Sequence, residues 1–321
     1  MYRYGKLVHI GAEIPEGDDV SPFVVDGVLH RSTTLIFGQT GAGKSTVAAS
    51  IAMAVAGTES EWLGQPVTRH GHALIVAGDP DGEREYRQRL TNGRDQDIDV
   101  YAPNRPAIPE TWSEVAMIAR QCDSTLVVID NLSAFVPGTL NDDFAIKQFY
   151  FQTDNIARDG AAVLIVAHTS EKTGEHGPST KPMGSSYIRF GPRWSCYAHK
   201  SRGALVLDFD GNDGQPWALH VSEPNGKPQD LALRERIGAD ELADRRARRS
   251  RQRTDDRKNR SDGIRDFILA QCQQMNGKEA AEAIAAQFGG SVSSYQSQLS
   301  RKSLGVKAIA GGGWESLRHA D

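Results

Sequence analysis

Cysteine is scarce in this chain of 321 residues. There are three, Cys122, Cys196 and Cys272, far apart and in no CxxC pair. That spacing argues against a zinc ribbon or a disulfide framework, and free thiols fit a reducing, cytoplasmic setting. Long apolar runs are also missing. The longest, such as Ile51–Ala56, fall far short of the roughly 20 residues that cross a bilayer, and no charged-then-apolar leader opens the chain. Membrane roles are therefore not expected. Aromatics make up only 7%, yet a hydrophobic fraction of 39% suffices for a core and argues against wholesale disorder. The net charge is only −4, but it is unevenly spread. Arg245–Arg260 holds nine basic residues against Asp255 and Asp256, a local +7 that leaves −11 for the rest. A basic run on an acidic protein points to a local partner of negative charge.

Strand and helix signals alternate from about Gly27 to Leu219. Thr34–Phe37, Ala73–Ala77, Thr125–Ile129 and Ala162–Ala167 are short apolar runs of the kind that buried strands carry. Lys44–Ala56, Glu83–Leu90 and Phe144–Ala157 are helix-competent segments between them. The alternation predicts a parallel sheet covered on both faces. From Trp194 to Leu219 the pattern changes to strand, turn, strand, with Asp210-Gly211 and Asp213-Gly214 as turns. An antiparallel extension of the sheet is expected there. Residues 1–229 are thus expected to form an α/β core. Residues 230–262, rich in Arg, Asp and Ala, are expected to form a charged helical linker. Residues 263–321 give three short helical patterns and a Gly311-Gly312-Gly313 turn before Trp314, the layout of a winged helix-turn-helix.

The residues Gly38-Gln39-Thr40-Gly41-Ala42-Gly43-Lys44-Ser45 fit the phosphate-binding P-loop pattern completely, between a strand and a helix. Glycines let the backbone wrap phosphates, and the helix N-terminus adds partial positive charge. Lys44 is expected to neutralise the β- and γ-phosphates of ATP, and Ser45 to bind Mg²⁺. Thr46 completes the candidate nucleotide contacts. Asp130, at the end of a strand, is the candidate second Mg²⁺ anchor. Hydrolysis also needs a carboxylate to orient water. Asn131 follows Asp130, so no Glu directly follows the Mg²⁺ anchor as in the AAA+ arrangement. The alternative is a carboxylate ending a strand next to the P-loop strand, and Asp79 is the candidate, with Asp81 and Glu83 close by.

The order of P-loop, acidic residue after the second strand, "VVID" and "LIVAHTS" resembles the RecA-like ATPases. The nearest subgroup is the plasmid RepA-type hexameric helicases and their phage relatives, over about Val24–Val221. The resemblance implies a catalytic base at Asp79, where many relatives carry Glu. Asp is one methylene shorter, which predicts slow hydrolysis, and a shifted register would put Gly78 there and leave no base. It implies that His168 senses the γ-phosphate. It also implies that Ser170–Gly184, with Lys172 and Lys181, is a DNA-binding loop in a ring channel. Pro137–Asp143 is a second such loop, although Asp142 and Asp143 suit phosphate contact poorly. His199-Lys200-Ser201-Arg202-Gly203 resembles the Lys-x-Arg finger that reaches a neighbour's nucleotide, and Arg193 is a second finger candidate. In the C-terminal unit, Arg301 and Lys302, with Gln296 and Gln298, are candidate duplex contacts. The expected function is a DNA-dependent ATPase of the hexameric helicase type, in replication or recombination. The alternatives are an ATP-switched DNA-binding regulator or loader, and a nuclease using Asp79, Asp81 and Glu83.

Overall fold

The computed structural model describes residues 21–90, 96–104, 108–170, 180–201, 203–222, 226–309 and 313–317. Contacts divide the chain into two units, Met1–Leu242 and Ala243–Asp321.

The first unit is built on a nine-stranded sheet. Its strands in chain order are β1 (Thr33–Gly38), β2 (Ala73–Ala77), β3 (Ile98–Tyr101), β4 (Leu126–Asp130), β5 (Ala162–His168), β6 (Trp194–Ser201), β7 (Ala204–Gly211), β8 (Trp217–Ser222) and β9 (Ala232–Ile237). Across the sheet they lie in the order β9-β8-β7-β6-β1-β5-β4-β2-β3. The six strands from β6 to β3 pair in parallel, and β7, β8 and β9 add antiparallel. The helices of this unit include α1 (Lys44–Ala56), α2 (Gly82–Leu90), α3 (Pro109–Gln121) and α4 (Asp143–Arg158).

The central strands are apolar throughout because both faces are covered. Alternate residues feed two separate cores. Ile36, Ile75, Val128, Leu164 and Val166 pack with Val47, Ile51 and Val55 of α1. Leu35, Phe37, Val127, Ile129 and Ile165 pack with Trp112 and Val115 of α3 and with Ile146 and Phe149 of α4. In α4 the buried positions Ala145, Ile146, Phe149, Tyr150, Thr153 and Ile156 recur at helical spacing. Asp142 caps α4 by accepting from the Phe144 amide at 2.9 Å, and Asp143 takes the Ser185 hydroxyl. These two acids thus have local structural partners.

Two expectations change at this level. Residues 232–237 are the edge strand of the sheet, not linker. The sequence Ala-Leu-Arg-Glu-Arg-Ile is mostly exposed, as an edge strand tolerates, and its charge hid it. The strand before Asp79 is also not the neighbour of the P-loop strand, because β5 and β4 intervene between β1 and β2.

In the second unit, α5 (Ala239–Gln271), which begins just before the division, leads into α6 (Gly277–Phe288), α7 (Val292–Ser300) and a hairpin of β10 (Val306–Ala308) and β11 (Trp314–Ser316). Ile264, Ile268, Cys272, Ile284, Tyr295, Leu299, Val306 and Trp314 share one core. Asn276 and Glu279 form a capping box at the start of α6. The helix containing Gln296 and Gln298 ends at Ser300, so Arg301 and Lys302 lie in the exposed turn after it, with Lys302 at a φ of 58°.

Candidate functional site

The phosphate loop leaves the C-terminal end of β1 and enters α1. Gly41 and Gly43 adopt φ values of 75° and 94°, which a side chain would strain. Gly38 lies so close to β6 that a Cβ there would strike the Ala198 carbonyl. No side chain caps the N-terminus of α1, so its first amides face the loop. Lys44 is only 5% exposed. Its ammonium donates to the carbonyls of Gly38 at 3.0 Å and Gln39 at 2.8 Å, and lies 3.3 Å from His168 Nδ1. Burial lowers its pKa, and the Asp130 charge partly opposes that. A buried cation beside an uncapped helix start is a site for an anion.

Asp130 ends β4, two strands from the P-loop strand. Its Oδ2 accepts from the Tyr86 phenol at 2.6 Å. Tyr86 is 2% exposed, and its hydroxyl also engages Ser45. Burial and then the Asp130 charge push its pKa well up, so the phenol keeps its proton and donates. Asn131 is buried and its amide donates to Asp79 Oδ2 at 2.7 Å. Asp79 is itself exposed. Glu83 is held by Arg87 at 2.6 Å, and Asp81 is exposed at a φ of 63°. His168, last in β5, lies in register with Gly38. Its Nδ1 is also 3.5 Å from the Thr40 hydroxyl. The Met183 amide donates to its carbonyl at 2.9 Å. Thr46 is buried, with its hydroxyl 3.4 Å from the Gly226 carbonyl.

The structure therefore brings Gly38–Thr46, Asp130, Asp79 and His168 to one end of the sheet. Arg193 is not among them. It begins at the opposite end of β1, where its amide bonds the Thr33 carbonyl, roughly 17 Å away along the strand at 3.3 Å per residue. Its guanidinium is held by Asp213 at 3.1 and 2.9 Å, and Asp213 also meets His30 at 3.2 Å. This pair gives Arg193 a structural partner and sets it aside as a finger. Lys200 is exposed near the end of β6, past the level of the phosphate loop, and pairs in register with Leu205. Arg202 and Lys172 lie outside the described residues. Lys181 is exposed, just before Pro182 bridges Thr169. Sequence reasoning missed Tyr86 and the bridging role of Asn131. A lone tyrosine in a polar helix carries no signature.

A separate trio, His72, Asp99 and Cys122, converges elsewhere, with ligand atoms within 4.8 Å of one another. Both His72 nitrogens already have partners, Ser124 at 2.8 Å and Asp99 at 3.3 Å, so hydrogen bonding accounts for its placement.

A family profile described as an AAA domain matches residues 16–174, just under half of the chain. The structure is similar to the solved ATPase domain of a helicase, at 13% identity and a TM-score of 0.53, covering 68% of this chain and 94% of that one. The core has the RecA-like P-loop ATPase fold. Weaker likenesses are to a KaiC-like protein from Pyrococcus horikoshii OT3 (11% identity, TM-score 0.42, covering 66% and 94% of the two chains) and to the RadB recombinase (14%, TM-score 0.44, covering 65% and 93%). No curated protein matches the sequence at a significant level.

The RecA-like core fits a nucleotide and Mg²⁺ on its own geometry. The glycine cradle, the uncapped α1 and the buried Lys44 suit phosphate, and the oxygens of Ser45 and Asp130 suit a hard cation. No helix among the described residues is long and apolar enough to cross a membrane.

Proposed function

We propose that the protein is a DNA-stimulated ATPase that works as a ring, of the hexameric helicase type. The observation that carries this reading is the position of His168. Its ring touches Lys44 and Thr40 of the phosphate loop, while its carbonyl holds Met183, where the chain returns from the polar Ser170–Gly184 segment. One residue thus links nucleotide state to a segment bearing Lys172 and Lys181. Occupied and vacated phosphate sites would then present that segment to single-stranded DNA differently.

In this reading Lys44 and the α1 amides bind the phosphates. Ser45 and Asp130 hold Mg²⁺, which supplies neutralisation of phosphate charge. Asp79, oriented by Asn131, positions the attacking water. Lys200 and Arg202, on the β6–β7 turn, act on the nucleotide of a neighbouring subunit. The helices and hairpin of the second unit act as a winged helix, with Arg301 and Lys302 at duplex DNA. Turnover with and without single-stranded DNA tests the first part, and mass in solution with and without ATP tests the ring.

A second reading is an ATP-switched DNA-binding regulator or loader that does not translocate. It is favoured by Asp79 itself, shorter than Glu and already engaged by Asn131. A strand-displacement assay beside the ATPase assay separates the two. The nuclease reading loses support, since Glu83 is turned to Arg87 and, among the described residues, the only metal-competent trio is His72, Asp99 and Cys122.

A further inference from the structure

We propose that Tyr86 is a positioning residue for the nucleotide's cation, aiming the Asp130 carboxylate and the Ser45 hydroxyl from beneath. This deepens the nucleotide-hydrolase reading above and rests on it.

Helix α2 is polar. Glu83 and Glu85 pair with Arg87 and Arg89, and Tyr86 is its single buried residue. An anchor that only had to fill space needs no hydroxyl, and an unpaired buried hydroxyl is costly. Here the hydroxyl spans the two side chains that suit Mg²⁺. It donates to Asp130 Oδ2 and engages Ser45. Among the described residues Asp130 Oδ1 has no hydrogen-bond partner, so one oxygen is fixed and the other is presented. Hydrogen bonds of this kind behind a metal ligand set its orientation, and their loss commonly costs about 10–100-fold in metal affinity. The same helix starts from the Asp79 turn, where Gly82 bonds the Asp79 carbonyl at 3.0 Å and Glu85 bonds the Asp81 carbonyl at 2.9 Å. Tyr86 therefore also ties the turn that carries Asp79 to the cation site.

The test is a Mn²⁺ titration followed by electron paramagnetic resonance, in the presence of ADP, with nucleotide affinity measured separately in EDTA. Tyr86→Phe keeps the buried ring, and a thermal melt checks its folding. It is expected to weaken Mn²⁺ about tenfold or more and to leave metal-free ADP affinity unchanged. In an Asp130→Asn background the same change is expected to cost nothing further, because the phenol acts through that carboxylate. Unchanged or tighter Mn²⁺ binding in Tyr86→Phe overturns the proposal, as does an equal loss in both backgrounds. A readout on the unaltered protein is the ring resonance of labelled tyrosine. One buried tyrosine signal is expected to shift with Mg²⁺ and ADP and to broaden with Mn²⁺, and no such signal counts against the proposal. The parent reading fails separately, if wild-type protein and Lys44→Ala bind ADP alike.

Discussion

Replacing Asp79 by Asn removes one negative charge and little else. The Asp79 side chain is exposed, so no core is disturbed, and the Asn131 amide that now donates to its Oδ2 at 2.7 Å can donate equally to an asparagine oxygen. The geometry of the turn should therefore survive, and only the ability to draw a proton from water is lost. General-base contributions run to about 10²–10⁴ in rate. At about 1.36 kcal/mol per decade the lower figure is about 2.7 kcal/mol of barrier. Because Asp is one methylene shorter than Glu, the lower end is expected, about 10². Single-turnover hydrolysis with enzyme in excess isolates this step, and nucleotide affinity measured beside it should stay within a few-fold. Wild-type single-turnover rates in Asp79→Asn would refute the reasoning. Asp81 would then be the next carboxylate to replace, ahead of Glu83, which Arg87 holds.

Burial lowers the Lys44 pKa in the free protein, and incoming phosphate charge raises it. Above the free-state pKa, nucleotide binding must therefore take up a proton and weaken as pH rises. Calorimetry in two buffers of different ionisation enthalpy reads that uptake, and proton release instead would contradict it. At Gly78, an added Cβ would sit 2.5 Å from both Ala134 Cβ and Phe135 Cε2. Gly78→Ala is expected to cost about 1–3 kcal/mol, seen in a thermal or denaturant melt, and wild-type stability would mean the strand end has slack. Arg202→Ala should cut DNA-stimulated turnover by about 10³ with nucleotide affinity nearly kept. Mixed with Lys44→Ala subunits it should regain activity, whereas a silent mixture with proven subunit exchange would remove the trans finger.

Nucleotide binding was legible in the sequence because a phosphate loop is contiguous. Its glycines, Lys44 and Ser45 must follow one another to wrap a phosphate. The central strands were legible because burial on both faces leaves unbroken apolar runs such as Ala162–Ala167. Strand order is a different kind of information. Nothing local to Asp79 says that β4 and β5 separate its strand from β1. Arg193 looked available because Asp213, twenty residues on, becomes its partner only when β6 and β7 pair. Residues 232–237 read as linker because an edge strand need not look apolar. Tyr86 was invisible because its partner, Asp130, lies 44 residues away on another element.

The most direct measurement is steady-state ATP hydrolysis with Mg²⁺, with and without single-stranded DNA, for the wild-type protein beside Lys44→Ala. Lys44 supplies the buried positive charge of the phosphate loop, and a hydrogen bond to a charged group is worth about 1.5–3 kcal/mol. The account predicts slow wild-type turnover that DNA raises, and none from Lys44→Ala under either condition. Turnover in Lys44→Ala equal to wild type, or wild-type turnover that ignores DNA, would contradict it.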